Sequence, residues 1–164
     1  MSIRNDAHFL CHYDVTFLTF HLFQFPFILL SERGIEMSFI GANPNPKNNH
    51  TGDCVVRALS IATDKTWYET YIELAIQGLL SCDMPSSNSV WAEYLTFKGF
   101  SKHSLIETCP NCYTVRDFCI DFPEGVYVLG TGTHAVTVID GDYYDTWDSG
   151  DETPIYYFKK EGEE

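Results

Sequence analysis

Three side chains of this chain have the types needed for a nucleophilic site, namely Cys54, His134 and Asp145. A thiolate is a strong nucleophile, but a free cysteine has a pKa of about 8.5 and is mostly protonated at neutral pH. A helix N-terminus and a neighbouring imidazole both lower that pKa, and a carboxylate can orient the imidazole. The three residues therefore predict a thiol hydrolase in which Cys54 attacks a carbonyl carbon and forms an acyl-enzyme.

The sequence around Cys54 predicts that this residue lies in the first turn of a buried helix. Apolar residues follow it at positions 55, 58, 59 and 62, which is helical spacing. Thr51 or Asp53 can cap the start of that helix.

His134 and Asp145 lie in a part of the chain that is predicted to form strands. After Pro123 the pattern predicts strands over 126–129, 134–139, 143–147 and 155–158. Gly141-Asp142 predicts a two-residue hairpin turn, which places position 139 opposite 144 or near it. His134 then begins one strand and Asp145 lies on its partner, and the register decides whether they share a face. Asp140, Asp142 and Asp148 compete with Asp145 for the role of orienting carboxylate.

Further helices are predicted between these two parts of the chain. Thr66 and Glu69 have the spacing of a capping box at the start of one helix. A second begins near Ser89 and ends at Gly99, and a short one begins at Thr114. The predicted apolar positions of the first two are Trp67, Tyr71, Leu74, Ala75, Leu79, Val90, Tyr94 and Phe97. Helices come first and strands later, which predicts an α+β domain with an antiparallel sheet.

The ordered motifs resemble the papain-like cysteine peptidases, and most closely the C39-type, bacteriocin-processing branch. Gly52-Asp53-Cys54 at a helix start is similar to the nucleophile helix of that branch, and Gly132-Thr133-His134-Ala135-Val136 to its histidine strand. Asp145-Thr146-Trp147 resembles the Asn-Ser-Trp of papain, with Asp in place of Asn. The resemblance covers roughly residues 45–160.

This resemblance implies N-terminal helices that carry the Cys, packed on a C-terminal antiparallel sheet that carries His and Asp, and cleavage of peptide or isopeptide bonds. It also implies an oxyanion donor upstream of the Cys, usually a Gln. Asn48 stands at the expected distance, six residues before Cys54, and its side chain is one methylene shorter than Gln. The alternative is therefore a catalytically inactive papain-like domain that binds a partner in the same cleft. A small domain of this type is consistent with a bacterial or a phage source.

The net charge of the chain limits the kinds of partner that it can bind. The formal net charge is −13, which excludes binding to nucleic-acid backbones or anionic membranes by bulk charge. A peptide or protein substrate is the expected partner, with no metal and no cofactor, and the oligomeric state is left open.

Cys109 and Cys112 form a single C-x₂-C motif, whereas a structural zinc site usually needs two more ligands. Normal helix and strand lengths favour reduced thiols and a cytoplasmic setting over a disulfide scaffold.

Residues 1–36 differ in composition from the remainder. They contain six of the twelve phenylalanines, and residues 15–31 carry no charge. The apolar run is short for a membrane-spanning helix and contains Pro26. Three interpretations stay open: sequence upstream of a true start at Met37, a membrane or export segment, or a structural element. We predict that this Phe-rich extension packs poorly or not at all on the peptidase-like domain over residues 37–164, and that no stable membrane insertion occurs.

Overall fold

The computed structural model of the protein describes residues 37–49, 51–106 and 112–162, and these residues form four helices and six strands. In chain order the elements are β1 (Phe39–Gly41), α1 (Cys54–Ala62), α2 (Trp67–Ser81), α3 (Asn88–Phe97), β2 (Phe100–Ser104), α4 (Val115–Asp121), β3 (Val126–Gly130), β4 (Ala135–Ile139), β5 (Asp142–Asp145) and β6 (Tyr156–Lys160). The predicted α+β class is confirmed.

The six strands form one mixed sheet in the order β1-β5-β4-β3-β6-β2. All neighbouring strands are antiparallel except β1, which pairs with β5 in parallel. The prediction of a purely antiparallel, C-terminal sheet is therefore wrong at both edges. A parallel pair needs a long crossover, and the hundred residues between β1 and β5 supply one.

The sheet is covered on both faces, and alternate residues of its strands belong to different hydrophobic clusters. Val128 and Ala135 pack with α1, α2 and α3 on one face. Leu129 and Val136 pack with α4 on the other face. This period of two is what a strand with two covered faces requires.

The capping motifs located the helix starts correctly, but the predicted apolar faces were too wide. Thr66 and Thr114 each form a complete capping box, with Glu69 and Asp117 respectively. The buried positions of α2 are Thr70, Leu74 and Gly78, whereas the predicted core residues Tyr71, Leu79 and Phe97 are exposed. Gly78 is required because a Cβ there would lie 2.7 Å from the carbonyl oxygen of Asp83.

The hairpin between β4 and β5 turns one residue earlier than predicted. Asp140 and Gly141 both have positive φ, at 49° and 82°, which is the pattern of a type I′ turn. Ile139 therefore pairs with Asp142 and Thr137 with Tyr144, so the predicted pairing of 139 with 144 is wrong by two residues. Side chains of a strand alternate between its two faces with a period of two residues. An error of two residues therefore leaves each side chain on its predicted face.

The Phe-rich extension, residues 1–36, lies outside the described residues, as does Cys109 of the C-x₂-C motif. Within the described ranges, no helix combines the length and the apolar character needed to cross a bilayer.

Candidate functional site

Cys54 is the first residue of α1, and the preceding Asp53 is the N-cap. Its thiol is not in a disulfide and is partly buried. The thiol lies at the N-terminal end of α1, where the helix dipole favours negative charge, and backbone N–H groups of Ala135 and Val55 reach it. Cys54 lines a cleft of about 280 Å³ together with Trp91, Gly132, Thr133 and His134.

His134 and Asp145 are brought together by the hairpin of β4 and β5. The register continues from Thr137 and Tyr144 to place position 136 opposite Asp145. Residue 134 is two positions further along, so it occupies a diagonal position on the same face. Nε2 of His134 and Oδ2 of Asp145 are 2.5 Å apart. Because Nε2 is engaged, Nδ1 is the ring nitrogen left for Cys54.

A tight turn places His134 at the edge of the cleft. Residues 131–134 connect β3 to β4 with Gly132 and Thr133 at the tip, and the N–H of Thr131 donates to the carbonyl oxygen of His134. Only Gly132 of the two turn residues has positive φ, at 94°, which is the pattern of a type II′ turn. The predicted strand start is thus displaced by one residue, and β4 begins at Ala135.

The pKa shifts of the site residues favour a Cys54 thiolate paired with a His134 imidazolium. Burial raises the pKa of the Cys54 thiol, but a hydrogen bond and the charge of His134 outweigh it, so the pKa lies below its usual value. Burial lowers the pKa of His134, but the hydrogen bonds with Asp145 and Cys54 outweigh it and raise the pKa to about 9. Burial also raises the pKa of Asp145, and its bond to His134 brings the pKa below the usual value.

Trp147 lies beside the pair of His134 and Asp145. Its ring centroid is 5.5 Å from that of His134, with the planes tilted by 38°. The indole is 47% exposed, so it lies at the surface rather than in the core. The side chains of His134 and Asp145 are only 13% and 4% exposed.

Asp53 anchors the start of α1, a role that the sequence analysis did not assign. Its buried carboxylate accepts hydrogen bonds from Asn45 Nδ2 at 2.8 Å and Trp67 Nε1 at 2.9 Å, and it pairs with Arg57. The available signal was Asp53 beside the candidate nucleophile, followed by a tryptophan at the first position of the next helix. These contacts join the lead-in segment and α2 to the residue directly before Cys54.

Asn48, the predicted oxyanion donor, is exposed and has a positive φ of 51°. It lines a neighbouring cavity of about 710 Å³ together with Gly52, Arg57 and Trp147. The cleft that holds Cys54 is bordered by a different amide, that of Asn88.

Asn88 is a second candidate donor that the sequence analysis missed. Its Oδ1 accepts a hydrogen bond from the indole N–H of buried Trp91 at 3.1 Å. That bond occupies the acceptor of the amide and leaves its N–H groups for a ligand. The sequence signal was the spacing of Asn88 and Trp91, one turn apart at the start of α3.

The ranges that the structure describes contain no group of three or more His, Cys, Asp or Glu side chains arranged to hold a metal ion.

Comparisons with family models, with curated proteins and with solved structures found no significant match to this chain.

Proposed function

We propose that the protein is a thiol hydrolase of papain-like type that cleaves amide bonds through Cys54, His134 and Asp145. One observation supports this most directly: the thiol at the start of α1 borders the same cleft as an imidazole whose other nitrogen is bonded to a buried carboxylate. The proposal includes a papain-like arrangement, with Cys54 on the helices and His134 and Asp145 on the sheet. A peptide or an isopeptide is the proposed substrate.

In the proposed reaction, the Cys54 thiolate attacks the carbonyl carbon and forms a C–S bond. The negative charge moves to the carbonyl oxygen, and His134 then gives its proton to the leaving amine as the C–N bond breaks. Water attacks the resulting thioester after His134 takes its proton, and Cys54 leaves as the thiolate. Asp145 stabilises the imidazolium form of His134 throughout.

The oxyanion of this reaction requires hydrogen-bond donors, and the backbone N–H of Cys54 is the first of them. Asn48 is the proposed second donor, and Asn88 competes with it because Asn88 borders the cleft. Removal of one such donor typically slows acylation by about 10²–10³. Comparison of Asn48→Ala with Asn88→Ala assigns the role to the variant with the larger loss, and equal retention of activity would exclude both side chains.

The test of thiol activation is the rate at which iodoacetamide alkylates Cys54 as a function of pH. The thiolate is present above the lowered pKa of Cys54, so we expect the half-maximal rate at a lower pH than for an ordinary cysteine. Loss of His134 leaves the burial that raises this pKa. His134→Ala should therefore move the half-maximal rate to higher pH and reduce the rate at pH 7 by about tenfold or more.

The matched control is His103→Ala, because His103 is exposed on β2 and stacks on Tyr157. Mass spectrometry of the labelled peptide distinguishes Cys54 from the exposed thiol of Cys82. A wild-type profile with its midpoint at or above that of an ordinary cysteine would contradict the proposal.

An inactive domain that binds a partner in the same cleft is the second candidate. The position of Asn48 favours it, since that side chain lines the neighbouring cavity. Reaction with p-nitrophenyl acetate separates the two. A hydrolase releases one equivalent of p-nitrophenolate in a burst that Cys54→Ser abolishes, followed by steady turnover, whereas a binding domain shows no turnover dependent on Cys54.

A further inference from the structure

The side of α2 that faces solvent is apolar. Side chains three or four residues apart lie on the same side of a helix, and five large apolar side chains of α2 have this spacing and are each between 52% and 78% exposed: Tyr68, Ile72, Ile76, Leu79 and Leu80. We call these five side chains the α2 stripe. The opposite side of the helix packs on the core through Leu74. A helix that is apolar all round is typical of one that is covered on both sides.

The α2 stripe is large enough to form a specific interface. A side chain of this size presents roughly 150–200 Å² when it is fully in water. Five side chains that are about two thirds exposed therefore leave roughly 500–600 Å² of apolar surface in contact with water. Two such stripes together would bury about 1,000–1,200 Å², which meets the minimum of about 1,000 Å² for a specific protein interface.

The charges on α2 allow contact between two copies of this chain, although each copy has a net charge of −13. None of the five side chains of the α2 stripe is charged. The two acidic residues of α2 already have partners, because Glu69 closes the capping box and Glu73 pairs with Lys65 and Lys98. A basic partner would therefore find no unpaired carboxylate on α2, whereas a second copy offers a matching uncharged surface.

We propose that the α2 stripe is the interface of a homodimer in which two copies of this chain pack α2 against α2 in antiparallel orientation. With the two-fold axis at Ile76, this residue lies against the same residue of the second copy, and Ile72 lies against Leu80. Such a pairing covers the same surface on both copies, so the assembly closes at two chains. This interface does not depend on the proposed thiol chemistry, because no residue of the α2 stripe lines the Cys54 cleft.

Sedimentation equilibrium of the full chain tests the proposal. At about 100 μM we expect a mass twice the 18.7 kDa of one chain, because interfaces of this size associate at micromolar concentrations or below. Ile76→Glu should raise the dissociation constant by about a hundredfold or more, because it places two carboxylates against each other at the axis.

Ile120→Glu is the matched control, because Ile120 is an exposed isoleucine on α4, which packs on the other face of the sheet. It should leave the mass unchanged. Far-UV circular dichroism of each variant verifies that it is folded.

A charge exchange at position 76 tests the two-fold symmetry. Ile76→Lys alone should also weaken the dimer, whereas a mixture of Ile76→Lys and Ile76→Glu should form a dimer that is tighter than that of either variant, since opposite charges then meet at the axis. A mixture that associates no more tightly than the separate variants would overturn the antiparallel pairing of α2.

The other possible occupants of the α2 stripe give different results. A full chain that is monomeric at about 100 μM would overturn the proposal, and so would a dimer that Ile76→Glu leaves intact. If only a chain beginning at Met37 formed the dimer, residues 1–36 would be the occupant instead. Salt should strengthen the proposed dimer between about 0.05 and 0.5 M, because it screens the repulsion between two acidic chains. A dimer that salt weakens would be held by ion pairs and would contradict an uncharged interface.

Discussion

Asp145 and Asp148 are carboxylates three residues apart that have different partners. Asp145 is buried and bonds to Nε2 of His134. Asp148 is half exposed and binds Arg116 of α4 and the hydroxyl of Tyr143. Asp148 thus faces solvent in part, and its side chain is held away from His134 by these two partners.

At the scale of single residues, we predict that Asp145→Ala slows alkylation of Cys54 at neutral pH more than Asp148→Ala does. The carboxylate of Asp145 stabilises the imidazolium of His134, which in turn stabilises the thiolate. Asp145→Asn should be milder than Asp145→Ala, because an amide oxygen still accepts a hydrogen bond from the ring. The measurement is the rate of iodoacetamide labelling at pH 7.

Asp148→Ala is a strict control because it removes a carboxylate three residues from Asp145 together with its contacts to Arg116 and Tyr143. Equal labelling rates in the wild type and in Asp145→Ala would exclude Asp145 from the site. A larger loss in Asp148→Ala would transfer the orienting role to Asp148.

At the scale of elements, the start of α1 is positioned by contacts from outside the helix. The N-cap Asp53 makes no capping hydrogen bond with its own helix. Its carboxylate instead contacts Asn45 and Trp67 from outside the helix, and it also pairs with Arg57 of α1 itself. The lead-in segment and α2 therefore hold the first turn, and with it the sulfur of Cys54.

We predict that Asn45→Ala lowers the free energy of unfolding by about 1–3 kcal/mol, because it leaves a buried carboxylate without one of its donors. It should also slow the labelling of Cys54, since the first turn of α1 loses a support. Urea denaturation and the labelling rate measure the two effects. Asn49→Ala changes an exposed amide of the same segment and should leave both quantities unchanged. Similar stabilities of the two variants would show that the contact with Asp53 is dispensable.

At the scale of the whole molecule, the residues from Met37 onward provide both faces of the sheet with a hydrophobic cluster. β1 contributes the edge strand next to β5, and Gly41 pairs with Asp145 in that ladder. The N–H of Ala42 donates to the carbonyl oxygen of Asp145 at 2.7 Å. The segment just after Met37 is therefore tied to the candidate site.

We predict that a chain beginning at Met37 folds with an unchanged melting temperature. A chain that begins at Ala42, after an initiating Met, should melt at a lower temperature and label Cys54 more slowly, because it lacks β1. Differential scanning calorimetry compares the three chains. A large decrease for the chain that begins at Met37 would show that residues 1–36 contribute to the core.

The amino-acid order alone dictated the features that depend on neighbours in the chain. Capping residues located the starts of α2 and α4, and Gly52-Asp53-Cys54 located the start of α1. The types and order of Cys54, His134 and Asp145 selected the candidate site. Each of these signals acts within a few residues, so it can be read without knowledge of distant contacts.

Tertiary structure decided every feature that depends on pairing between distant segments. The parallel pairing of β1 with β5 joins residues a hundred positions apart, and no local pattern specifies it. The choice of Asp145 over Asp148 followed from the hairpin register. The anchoring of Asp53 followed from its hydrogen bonds with Asn45 of the lead-in segment and Trp67 of α2. Tertiary structure also decided which residues of α2 are buried. The sequence shows which positions share a helix face, but not how much of that face the neighbouring elements cover.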